Sequence, residues 1–84
     1  MKILNRVRVF SAKFFPMTNH RRPKIRLTDL WNNKSVFIPI EVGESIDDRM
    51  EEFFRMRDIP VQGDSTNKKT GEVLYYTDNF EIQL

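Results

Sequence analysis

No cysteine occurs in the chain, so neither a disulfide framework nor thiol chemistry is open to it, and zinc sites built on thiolates are excluded as well. A small domain without that staple depends on packing, on a partner or on self-association. Histidine is almost as scarce. The single imidazole, His20, has Asn19 and Arg21 as chain neighbours, and an adjacent arginine favours the neutral ring while supplying no carboxylate to orient it as a general base. Among three glycines there is neither a G-x-S-x-G elbow nor a phosphate-binding loop. Asp64-Ser65-Thr66-Asn67 opens like a calcium loop, but the fifth position is Lys68 and the twelfth is Tyr75 rather than a bidentate glutamate. Long apolar runs are missing too: Arg6, Arg8 and Lys13 break the opening MKILNRVRVFSAKFF, and nothing approaches the roughly 18 residues that a span requires. These absences lead us to expect a cytoplasmic protein that is not an enzyme, carries no metal or cofactor and has no membrane partner.

What is present belongs to a folded domain. In 84 residues the hydrophobic share is 39% and the charged share 31%, with seven Phe, two Tyr and one Trp, a composition too rich in aromatics for a disordered chain. Residues 1–84 are read as one domain. Its charge is unevenly spread: residues 1–34 hold nine of the 14 Lys and Arg but one of the 12 acids. The chain is electrically two-ended in sequence, and a partner bearing phosphates follows if one face collects the basic half.

The residues also suggest elements. Residues 3–10 alternate apolar and basic side chains and are read as a strand, with Ile3, Val7 and Val9 on one face and Arg6 and Arg8 on the other. A helical stripe through Ile3, Val7, Phe10 and Phe14 is the alternative. Pro16 and Pro23 bracket a basic connection over residues 14–24. KIRLTDLW and KSVFIPIEV, joined by Asn32 and Asn33, form a hairpin whose Ile25, Leu27, Val36, Ile38 and Ile40 share a face. Pro39 assigns the return strand to an edge or a bulge. Ser45 caps a helix over 46–56 with the stripe Ile46, Met50, Phe53 and Phe54, and Pro60 stops it. IPVQ is a short strand candidate, residues 63–71 a polar loop, and EVLYYTDNFEIQL a last strand. The expected fold is α+β in the approximate order ββαββ, a mostly antiparallel sheet with one helix packed on one face.

If Val7, Val9, Ile25 and Leu27 face the helix, then Arg6, Arg8, Lys24 and Arg26 face away from it, with Lys13, Arg21 and Arg22 at the rim. Phe37 and Tyr75 are placed outward by the same alternation. Aromatics among arginines on an open sheet suit unpaired bases and their phosphates, so the expected partner is single-stranded DNA or RNA. The alternative is a small inhibitor or adaptor binding a protein through a charge-polarised surface, with Asp47, Asp48, Glu51 and Glu52 steering the partner. A homo-oligomer through a sheet edge, or through opposite charged ends, is a further expectation.

Overall fold

The computed structural model describes residues 8–18 and 21–78. Its helix, α1 (Ile46–Met56), lies where capping and periodicity place it: Ser45 is the N-cap, its hydroxyl accepting from Asp48 N, and Asp47 and Asp48 occupy the positive end of the helix dipole. The helix stops before Pro60 is reached. Asp58 takes a positive φ of 55°, Asp58 N donates to Arg55 O and Ile59 N to Phe54 O, the double bond of a Schellman cap, with Ile59 and Phe54 both buried in the core.

Among the described residues five strands form one sheet beneath this helix: β1 (Arg8–Phe15), β2 (Lys24–Asp29), β3 (Lys34–Pro39), β4 (Gly63–Thr66) and β5 (Val73–Thr77). Their order is β3-β2-β1-β5-β4 and each neighbouring pair is antiparallel. The fold is thus a small α+β domain. Three of the described strands precede the helix, and the first of them is the middle of the sheet. Pro39 ends an edge strand, where its missing N–H costs no ladder bond. The β2–β3 hairpin turns through residues 30–33, with Asn33 at φ 61° and its N–H on Asp29 O, a conformation that asparagine tolerates.

The core lies between α1 and one sheet face. Phe10, Ala12, Ile25, Leu27, Ile38, Val73 and Tyr75 rise from the sheet to meet Met50, Phe53 and Phe54, with Ile46 partly buried beside them. Phe54 sits at the centre, 5.9 Å from the Phe10 ring and 5.1 Å from the Tyr75 ring between centroids.

Three sequence expectations are corrected by this arrangement. The first described strand, Arg8–Phe15, runs on past the expected end at residue 10, and its alternation is opposite: Phe10 and Ala12 face the helix, whereas Val9 does not. A phenylalanine ring meeting Phe54 buries more apolar area than a valine in the same register, and the whole strand follows. Arg8 is thereby carried to the helix side. Second, the stretch expected as a polar loop over residues 63–71 begins with β4, whose four residues are all exposed. Its pairing with β5, from Gly63↔Tyr76 to Thr66↔Val73, is made by main-chain groups that a hydrophobic pattern does not reveal. Third, residues 59–62 are not a strand; Ile59 closes the helix end, and Gln62 N starts the ladder on Tyr76 O at 2.7 Å. The basic connection begins only after Phe15; a bridge between Thr18 and Arg21 and the bond from Ile40 N to Pro23 O pin its described residues. Arg6, Val7, Ile3 and His20, with the end of the last expected strand, lie outside the described residues.

Candidate nucleic-acid interface

The sheet face away from α1 is built by alternation. Lys13 and Phe15 of β1 stand beside Arg26 and Lys24 of β2, which stand in turn beside Phe37 and Pro39 of β3. Both aromatic rings carry a cation: Lys24 Nζ lies 4.6 Å from the Phe37 centroid, and Arg26 Cζ lies 5.4 Å from that of Phe15. The rings touch each other edge-on, 6.3 Å between centroids at 70°. Phe37 remains 58% exposed, so this contact leaves much of the ring open. Arg26 Nε is buried and has no hydrogen-bond partner, an unmet donor beneath the surface of the cluster.

Arg21 and Arg22 extend the positive charge past the end of β2. Both are exposed, and with Pro23, Lys24, Phe37 and Pro39 they line a shallow groove of about 330 Å³. At the other end of the face, Tyr76 lies opposite Val9, roughly 20 Å along the strand from Phe15. Glu72 brings a carboxylate to the middle, accepting from the Ser11 hydroxyl.

Two expected site residues are placed elsewhere. Arg8 is 5% exposed on the helix side, where Nε donates to Asp29 Oδ2 at 2.9 Å and Nη2 bonds the same oxygen. Asp29 is fully buried, and its Oδ1 also accepts from Trp31 N. The reversed alternation of β1 explains this: the cation enters the end of the core and is matched there by a carboxylate. Tyr75, expected as an outward stacking platform, is 5% exposed beneath Phe54, and its hydroxyl donates to Asp47 Oδ1 at 3.1 Å. Burial first, then the Asp47 carboxylate, pushes the Tyr75 hydroxyl above the ordinary phenol value near 10. Lys24, Arg26 and Phe37 do share the open face, with Arg21 and Arg22 at its rim. Sequence reasoning missed Phe15 and Tyr76 as members of that face. Carrying β1 forward through Phe15, with Phe10 and Ala12 inward, would have found the first.

The acidic side of the helix is less available than its sequence suggests. Asp47 holds Tyr75, Glu52 pairs with Arg49 at 3.1 Å and Glu51 approaches Arg55 at 3.7 Å. Asp48 lends its backbone N–H to the cap. Asp47 and Glu51 share a cleft with Asp64 and Tyr75, but among the described residues no group of carboxylates is arranged to hold a metal ion. No described helix is long and apolar enough to cross a membrane.

No protein-family model, curated protein or solved structure matches the chain. The arrangement of its side chains therefore carries the functional argument.

Proposed function

We propose that the protein binds single-stranded nucleic acid on the open face of its sheet. The observation that supports this reading is the cluster of Lys24, Arg26, Phe15 and Phe37, in which each aromatic ring is faced by a cation and none of the cations forms an ion pair among the described residues. Lys13, Arg21 and Arg22 add charge on either side of it. Cations without ion-pair partners, exposed at Lys13, Arg21 and Arg22 and partly exposed at Lys24 and Arg26, attract phosphates and release their counterions, which supplies affinity without sequence preference. Open aromatic rings then select unpaired bases, since a flat sheet face does not enter a duplex groove. The acids on the helix are in part engaged within the molecule, so the protein-partner reading at Asp47, Asp48, Glu51 and Glu52 has less support. A cytoplasmic location belongs to the same proposal.

The test is a salt-titrated binding series with single-stranded and duplex oligonucleotides, repeated on Lys13→Ala, Lys24→Ala and Arg26→Ala. Each variant is expected to weaken binding to all sequences alike and to reduce the salt slope by about one. Absence of binding to any oligonucleotide at ~50 mM salt rejects the proposal and leaves the protein partner as the better reading.

A further inference from the structure

The groove at the rim differs from the rest of the open face. Its walls are Arg21, Arg22, Pro23, Lys24, Phe37 and Pro39, a set without a carboxylate, amide or hydroxyl side chain. Two prolines contribute no backbone N–H. The polar side-chain groups of these walls are therefore all cationic, and the remaining walls are apolar rings. Phe37 borders it with more than half of its surface free. The backbone on either side of Arg22 is tied down: Thr18 N donates to Arg21 O at 3.1 Å, Arg21 N returns to Thr18 O at 3.3 Å, and Ile40 N donates to Pro23 O at 3.4 Å. Pro23 is buried at its base.

Resting on the reading just proposed, we infer that this groove is a slot for one unpaired nucleotide, whose base stacks on Phe37 against Pro39 while Arg21 and Arg22 hold the adjoining phosphates. Charge complementarity selects the occupant, because three cations without ion-pair partners among the described residues surround an apolar floor. An apolar peptide side chain fits the floor but leaves the cations unmatched, and inorganic phosphate fits the cations but leaves the ring exposed. The donors of the walls are committed in this slot, Arg21 and Arg22 to the phosphates and Lys24 to the Phe37 ring, and no side chain of the walls accepts a hydrogen bond, so the slot grips the base by its ring and not by its Watson–Crick edge and tolerates any base. A base within a duplex is stacked on its neighbours and does not enter.

The wild-type protein is tested with two probes of equal charge, an oligothymidylate of about 12 nucleotides and a chain of the same length made of abasic tetrahydrofuran residues. The expected result is tighter binding of the intact strand by roughly 5- to 150-fold, with the same salt slope for both. Oligodeoxyadenylate binds within a few-fold of oligothymidylate. Phe37→Ala lowers the affinity for oligothymidylate to that for the abasic chain, and Phe37→Trp restores it. Equal affinity of the wild-type protein for intact and abasic chains overturns the slot and leaves the basic face as an electrostatic binder. Failure of both chains to bind at ~50 mM salt overturns the slot together with the proposed function.

Discussion

Arg8 and Arg26 stand on adjacent strands of one sheet, and each lays its guanidinium against aromatic rings, yet they belong to different environments. Arg8 lies 5.7 Å from the Phe10 centroid and 5.6 Å from that of Trp31, with the fully buried Asp29 as its counterion. Arg26 lies against Phe15 with no carboxylate beside it among the described residues. Strand alternation sends one to the helix side and the other to the open side. The difference is between these two charges: the enclosed Arg8 is matched by a buried carboxylate, whereas Arg26 on the open face has no ion-pair partner among the described residues. A cation of the second kind remains free to take a phosphate.

The largest expected effect breaks the enclosed pair. Asp29→Ala leaves the Arg8 charge buried without its counterion and removes the acceptor of Trp31 N, and it is expected to cost about 3–5 kcal/mol of stability. Denaturant unfolding measures it. The paired replacement Arg8→Met with Asp29→Leu recovers most of the loss, because both charges then leave the core together. A loss below about 1 kcal/mol for Asp29→Ala would mean that solvent reaches Arg8, and the contrast with Arg26 would disappear.

A smaller effect concerns a hydroxyl that links sheet and helix, that of Tyr75. Tyr75→Phe removes the bond to Asp47 and is expected to cost about 0.5–1.5 kcal/mol at neutral pH. Its alkaline behaviour is more telling. The folded hydroxyl ionises above its unfolded value near 10, so between the two values the unfolded chain has released a proton that the folded one retains. Stability is therefore held below pH about 10 and declines as pH rises beyond it. In Tyr75→Phe this component of the decline is absent, and unfolding curves of the two proteins between pH 9 and 11 are expected to converge (a range of roughly one unit on either side of the phenol value). Parallel curves would place Tyr75 in solvent.

The parts of the fold that could be read from residues alone are those set by local chemistry. Ser45, the stripe of Met50, Phe53 and Phe54, and the break before Pro60 place the helix; Asn33 and Pro39 place the hairpin and its edge. The face of β1 depends on a contact distant in sequence. Val9 and Phe10 are both suited to a core, and only the meeting of Phe10 with Phe54 decides between them. That one decision moves Arg8 from the open face to the core. Tyr75 was misplaced for a similar reason, since either tyrosine of the Tyr75–Tyr76 pair suits an inward position until Asp47 and Phe54 are in place. β4 gives no side-chain signal because its bonds are main-chain bonds. Lys24, Arg26 and Phe37 were legible because the hairpin's own alternation assigns them.

The smallest expected effect sharpens the comparison from its other side. Arg26→Met keeps the aliphatic stem over Phe15 and removes both the charge and the buried Nε that lacks a partner. Losing the cation–π contact costs about 0.5–1 kcal/mol, while removing an unsatisfied buried donor returns about 1 kcal/mol or more. The two effects oppose each other, and the net change in stability is expected to lie within about 1 kcal/mol of zero. Oligonucleotide binding, in contrast, is expected to weaken and its salt slope to fall by about one. Unfolding midpoints and binding curves measured on the same preparation separate the two properties. If Arg26→Met destabilises the protein by more than about 2 kcal/mol, then Arg26 serves the fold as Arg8 does, and the unpaired charge on the open face loses its standing as a mark of function.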